Sequence, residues 1–270
     1  MTVQQRGALT RSQLPQGVPA LPPARSAAVR TLQRALVDAA SLRYREGGRG
    51  RFAYHFARGK LGGDPMFIEL LRQGAFPPLA EPGGRFLDLG SGQAVLASWL
   101  LAARARFDAG RWPAGWPEPP RVARLRALEL MPADAARGQA AFAGEPRVRV
   151  ERADIRQAGF GLADVVTILD VLHYLAPDAQ DDVLRRARAA LAPGGVLVMR
   201  VGDAAAGLPY RLSHWADQAI TLVRGHGWSH LHGRTLDQWQ AALHALGFEV
   251  RSVPTPGGLP FANTMLIAHT

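Results

Sequence analysis

Asp88, Glu129, Asp154 and Asp170 each stand at or just past the end of a short apolar run, and Gly90 and Gly92 follow the first of them at once. Two glycines one residue apart let a turn adopt left-handed conformations and bring its backbone N–H groups against a ligand. Asp88, two residues before the first glycine, can take an ammonium group. Glu129 offers two acceptor oxygens in one plane, which match a vicinal diol. Asp154 can accept from an amino group on a flat ring, with Ile155 packing on that ring. Asp170 is followed by His173 and Tyr174, and histidine is the side chain whose proton moves most easily near neutral pH. His226 and His230 lie four apart, with His232 close by. No acid or thiol stands beside them in a glycine-rich segment, so no metal is expected.

Two common phosphate-binding patterns do not fit. The dinucleotide fingerprint needs a third glycine where Val95 stands. The phosphate loop needs a lysine before Ser or Thr, and the single lysine of the chain is Lys60.

The elements that must position these groups alternate. Strands are expected at 85–89, 122–130, 147–151, 164–169, 196–201, 248–253 and 263–269, and helices at 93–106, 132–143, 177–192 and 236–246. Pro132 and Pro177 open two of the helices. Thr235 with Gln238 three residues on reads as a capping box, and Gly247 as the stop. Strands that are apolar throughout and alternate with helices predict a parallel sheet covered on both faces. The turn-rich stretch from Pro254 to Pro260 predicts that the last two strands form a hairpin. The fold class is therefore α/β, a doubly wound seven-stranded sheet with a terminal antiparallel pair.

Ahead of the first strand, residues 27–45 carry Val29, Leu32, Leu36 and Ala40 on one helical face. A second helix is expected over 51–61. Asp64 and Pro65 read as an N-cap and first helical residue of a third, which stops at Gly74. This helical region, residues 26–82, is a candidate lid on the domain formed by residues 83–270. Residues 1–25 have no period and are expected to form a disordered arm. Two insertions interrupt the domain, at 108–121 (rich in Pro and Trp) and at 203–234, which holds Tyr210, His214 and Trp215.

The 270 residues hold no cysteine and no apolar run long enough to span a bilayer, which predicts a cytoplasmic protein without disulfides. The net charge of +10 is uneven: residues 1–60 carry eleven Arg or Lys against two Asp or Glu. The remainder is nearly neutral. A basic arm fits an acidic protein partner or RNA, whereas a nearly neutral main domain argues against nucleic acid as the substrate.

The pattern D-x-G-x-G at 88–92 resembles motif I of the class I S-adenosylmethionine (SAM)-dependent methyltransferases. The later groups follow that family's order: a ribose acid at Glu129, an adenine acid at Asp154, motif IV over 168–174, and the turn from Leu191 to Gly195 before the fifth strand. Glu129 lies 37 residues beyond Gly92, about twice the family's usual spacing, and the 108–121 insertion accounts for the excess. The resemblance implies SAM as cofactor, bound by Asp88, Leu89, Gly90, Ser91, Gly92, Glu129, Leu130, Asp154, Ile155 and Asp170. It implies methyl transfer with His173 as first candidate base and His214 and His55 next. Tyr54, Tyr174, Tyr210 and Trp215 would then line the acceptor slot.

Residues 56–65 and 200–204 also resemble bacterial methyltransferases of aryl-polyene pigment gene clusters. That likeness implies O- or C-methylation of an aromatic or hydroxyaryl acyl group, tethered to an acyl carrier protein, in secondary metabolism. Two other readings stand beside it: an RNA methyltransferase using the basic arm, and a SAM-binding protein without catalysis.

Overall fold

A computed structural model describes residues 26–46, 51–79, 82–206, 232–254 and 263–270. The 1–25 arm, Tyr210, His214, Trp215, His226 and His230, and the turn from 255 to 260 lie outside the described residues.

Three helices come first: α1 (Ala27–Glu46), α2 (Arg51–Gly63) and α3 (Met66–Arg72). Strand β1 (Gly84–Leu89) leads to α4 (Val95–Asp108), β2 (Val122–Glu129) to α5 (Pro132–Ala141), and β3 (Val148–Arg152) to β4 (Ala163–Leu169). A 3₁₀ turn (Leu172–Tyr174), α6 (Pro177–Ala190), β5 (Leu191–Gly202), α7 (Leu236–Ala245), β6 (Glu249–Pro254) and β7 (Asn263–His269) follow. The strand order is β3-β2-β1-β4-β5-β7-β6. The first five strands pair in parallel, and β7 runs antiparallel between β5 and β6. This is the doubly wound sheet with a terminal hairpin that the alternation predicts.

The period-two alternation of each strand divides the apolar residues between two cores. Phe86, Val165, Val196 and Val198 face α1 to α4, while Leu87, Leu89, Val166, Ile168, Leu197 and Met199 face α6 and α7. The N-terminal helices belong to the first core. Leu36, Ala57, Leu61, Phe67 and Leu70 are buried in the same cluster as Trp99 and Leu100 of α4. Trp99 is wholly buried, and its indole N–H donates to the Phe67 carbonyl at 2.9 Å.

The capping box at Thr235 and Gln238 forms as expected, with both reciprocal bonds present. Two boundaries differ from the sequence expectation. Strand β5 begins at Leu191, not 196, because Leu191 already pairs with Ala163 and the Pro193–Gly195 turn is absorbed as a register shift inside the strand. Helix α3 begins at Met66, and the Asp64 carboxylate accepts from the Met66 N–H at 3.0 Å.

The 108–121 insertion folds back on itself near the start of β2. Trp116 is buried in the first core, and the Trp112 indole donates to Pro117 at 3.0 Å. It occupies the amino-terminal edge of the sheet and leaves the carboxyl edge clear.

Candidate functional site

In an open doubly wound sheet the crevice lies at the carboxyl edge, where the strand order reverses. Here the reversal falls between β1 and β4. Leu89 pairs with Leu128 and Glu129 with Arg152, so Asp88, Glu129 and Asp154 stand at the tips of three adjacent strands. Asp170 and the His173 turn follow β4 on the other side of the reversal.

The glycine turn is built for close packing on one side and open space on the other. Gly90 has φ +72°, and a Cβ there would lie 2.3 Å from Val171 Cγ2. Gly92 has φ +57°, and nothing lies within 4 Å of where its Cβ would be. Ala94 enters α4 through a left-handed conformation with φ 60°. One expectation is corrected here. The amides of residues 90–92 are engaged within the protein: Gly90 and Ser91 N–H donate to the Leu128 carbonyl at 2.8 and 3.0 Å, and Gly92 N–H donates to Glu129 Oε2 at 2.7 Å. A buried turn must satisfy its donors internally when β2 lies this close.

Asp88 is 3% exposed, and Thr167 Oγ donates to it at 2.6 Å. Burial pushes its carboxyl up to about 7; the Thr167 bond opposes this and the nearby Glu129 charge adds to it. Glu129 Oε1 accepts from the Met131 N–H at 2.8 Å while Oε2 holds Gly92. Leu130, next along, is 51% exposed and presents open apolar surface at the rim.

Asp154 is engaged by Arg156, whose guanidinium spans both oxygens at 2.5 to 3.0 Å and whose N–H adds a bond at 2.9 Å. The Arg156 hydrogen bond holds Asp154 below the usual carboxylate range. Ile155 departs from its expected role. It is 6% exposed and packs in the α6-side core, because the chain turns inward after β3. Leu89 is likewise wholly buried and offers only its backbone.

Asp170 departs further. It has φ +59°, and Arg200 Nε meets its Oδ1 at 2.5 Å, with a second contact from Arg200 Nη2 to Oδ2. Burial alone would raise its pKa, but Arg200 and Lys60 override this and hold it well below the ordinary range. Its carboxylate is thus occupied by protein cations.

His173 and Tyr174 sit on the 3₁₀ turn with ring centroids 4.2 Å apart. The turn is held from below by Gln180, which is fully buried and donates to the carbonyls of Leu172, Leu175 and His232 at 2.9 to 3.1 Å. Helix α2 runs from one motif to the other. At its start the Ala53 carbonyl accepts from Gln93 Nε2 at 2.7 Å, and near its end Lys60 Nζ lies 3.5 Å from Asp170 Oδ2. Its residues Tyr54 and His55 have ring centroids 5.1 Å apart, and His55 is exposed; they lie well round the helix from Ala53 and Lys60, which make its contacts with the two motifs. Beneath the glycine turn the Tyr44 hydroxyl of α1 donates to the Gln93 carbonyl at 2.9 Å.

Gln93, Thr167, Gln180, Asp64 and Arg200 were not among the expected site residues. Arg200 had a signal: it is the one charge in the apolar run from Val196 to Val201. Gln93 and Gln180 had none, since their partners are backbone carbonyls distant in sequence.

This strand order, with acids at three neighbouring tips and a glycine turn after the first, is the fold of the class I SAM-dependent methyltransferases. The chain belongs to the methyltransferase domain family, which it matches over residues 65–253. Solved structures share the fold. An O-methyltransferase family protein from Burkholderia thailandensis is 16% identical with a TM-score of 0.50, covering 89% of this chain and 70% of its own. The pyocyanin biosynthetic protein PhzM is 21% identical with a TM-score of 0.54, covering 84% of this chain, which in turn spans only 61% of PhzM. Magnesium protoporphyrin IX methyltransferase (ChlM) from Synechocystis PCC 6803, solved with bound SAH, is 16% identical with a TM-score of 0.52, covering 90% of this chain and 98% of its own. No curated protein matches the sequence.

The family's cofactor is SAM, and the residues here fit it. Gly92 leaves open space beside the turn. Ser91 Oγ is buried there with no hydrogen-bond partner among the described residues. The carboxyl groups of Asp88, Glu129 and Asp154 stand at or just past the tips of three adjacent strands.

Proposed function

We propose that this domain transfers a methyl group from SAM to the oxygen or carbon of an aromatic or hydroxyaryl small molecule, in bacterial secondary metabolism. The observation that carries the reading is the convergence at one sheet edge of Asp88, Glu129 and Asp154 with the His173 turn, bordered by α2.

SAM, when bound, supplies a methyl group already activated by the positive charge on its sulfur. The protein's work is then to position and to exclude water. Asp88 takes the ammonium through its carboxylate. Glu129 stands at the β2 tip to receive the ribose diol. Asp154, whose carboxylate is held by Arg156, exchanges one of those bonds for the adenine amine, and exposed Leu130 covers the ring. His173 accepts the acceptor's phenolic proton on an imidazole nitrogen, which raises the nucleophilicity of the oxygen or of the ring carbon beside it. Tyr54 and Tyr174, with Tyr210 and Trp215 of the second insertion, form the acceptor slot, and His55 and His214 are the alternative bases. The N-terminal helices cover the site as a packed cap, and the basic residues of α1 and of the preceding arm receive an acidic carrier protein. A cytoplasmic location is part of the same reading. Among the described residues no helix is long and apolar enough to cross a membrane.

The test is incubation of the full chain with methyl-labelled SAM and a panel of hydroxyaryl acids, their pantetheine thioesters and their carrier-protein thioesters. Label is expected in at least one aromatic product by mass spectrometry. Label found only in RNA, or in nothing while SAM binds, would overturn the proposal.

A further inference from the structure

Four charged side chains meet at the carboxyl edge, and none of them contributes to the steps above. Arg200 of β5 is central. Its Nη1 lies 2.7 and 2.6 Å from the two oxygens of Asp64, which precedes α3. Its Nε lies 2.5 Å from Asp170 Oδ1. Lys60 closes the group, 2.8 Å from Asp64 Oδ2 and 3.5 Å from Asp170 Oδ2. The Arg200 side chain is only 6% exposed. Two cations and two carboxylates balance, so a buried guanidinium is tolerated because both its faces are paired.

The geometry says what the pairing holds. Asp170 has φ +59°, a backbone conformation that a glycine would take with less strain. A carboxylate is retained there, and both its oxygens bond Arg200. Asp170 opens the turn that carries His173 three residues later, and the next residue, Val171, packs against Gly90. Asp64 belongs to the N-terminal helices, 136 residues from Arg200 in sequence. Gln180 fastens the far end of the same turn through the Leu172 and Leu175 carbonyls.

We infer that Arg200 is a positioning residue that clamps Asp170 to Asp64, so that the His173 turn is held at a set place against the N-terminal helices. Asp170 is then part of this clamp and not a cofactor ligand. The inference rests on the methyl-transfer reading for what His173 does, but the clamp itself can be tested without turnover.

The experiment compares the full-length wild type with Asp64→Asn, Asp170→Asn and Arg200→Lys by hydrogen–deuterium exchange, and titrates each with S-adenosylhomocysteine by calorimetry. Asn keeps the shape of Asp and tolerates the left-handed region, so loss of charge is isolated from loss of fold. Exchange over residues 170–176 should rise roughly tenfold or more in both Asn variants, as breaking a charge-assisted bond implies, with residues 86–95 unchanged. S-adenosylhomocysteine affinity should stay within about twofold, since the ligand-binding tips are untouched. With 3,4-dihydroxybenzoate as methyl acceptor, kcat should fall in the variants while KM for SAM holds, and Arg200→Lys should retain part of the rate. Unchanged exchange at 170–176, or a rise spread over the whole chain, would overturn the clamp. A collapse of affinity in Asp170→Asn alone would return Asp170 to the cofactor. Failure of the wild type to bind S-adenosylhomocysteine would sink the functional proposal instead, and the exchange result would still decide the clamp.

Discussion

Glu129 Oε2 accepts the Gly92 N–H at 2.7 Å across 37 residues of sequence. The bond joins the tip of β2 to the turn after β1, so the carboxylate proposed to hold the ribose also sets the turn beside which the cofactor lies. The 108–121 insertion lengthens the connection without disturbing it, because it is accommodated at the opposite edge. Glu129→Ala should therefore weaken SAM binding by roughly 10- to 100-fold, the equivalent of one lost charge-assisted hydrogen bond. Isothermal calorimetry measures it, and an unchanged affinity would remove Glu129 from the site.

Asp88 links cofactor binding to pH. Its ordinary pKa of 3.8 is pushed up to about 7 in the fold. Between those values the native state binds more protons than the unfolded chain, so stability falls as pH rises from about 4 to 7 and then levels. Three units at one site amount to roughly 4 kcal/mol at most. Asp88→Asn should flatten that slope and be more stable than wild type at pH 8 in urea denaturation. It should also lose SAM binding. An ammonium beside Asp88 favours the ionised form, so SAM binding near pH 6 should release protons. Calorimetry in buffers of differing ionisation enthalpy would register this, and proton uptake would contradict it.

The two glycines should respond differently to alanine. At Gly90 the added Cβ meets Val171 at 2.3 Å in a left-handed backbone. Overpacking and strain together should cost about 2–5 kcal/mol, partly recovered by adding Val171→Ala. At Gly92 the space is empty. Strain alone, about 1 kcal/mol, should affect stability there, while the methyl enters the volume proposed for the cofactor and weakens its binding. Denaturation midpoints and SAM affinities of the two variants separate these effects; equal stability losses would contradict the assignment.

His173 is proposed to move a proton and not to bind the cofactor. His173→Gln should lower kcat by roughly 10²- to 10⁴-fold with SAM affinity retained. Rates with a phenolic acceptor test this. An unaffected kcat would pass the role to His55 or His214.

The sheet was legible in the sequence because its central strands, β1, β4 and β5, are short apolar runs buried on both faces, and such runs between helical stretches can be read without knowing their partners. The positions of the three tip carboxylates were legible too, since a charge that ends an apolar run marks the end of the strand, though not that Asp88 and Glu129 are buried there. Ile155 is not legible as a core residue in the sequence, because burial after a strand end depends on which way the chain turns; in the fold it joins the cluster that holds Phe160 and Leu128. Asp170 reads the same as Asp88 in one dimension; only the approach of Arg200 from β5 and Lys60 from α2 sets an ion-paired carboxylate apart from one held by the Thr167 hydroxyl. The amides of the glycine turn were likewise open to a ligand until β2 brought the Leu128 carbonyl beneath them. Local pattern determined the elements and the kinds of chemical group at their ends. Tertiary structure alone decided which of those groups are already occupied, because hydrogen bonds and ion pairs act over a few ångströms between residues that can lie more than a hundred positions apart.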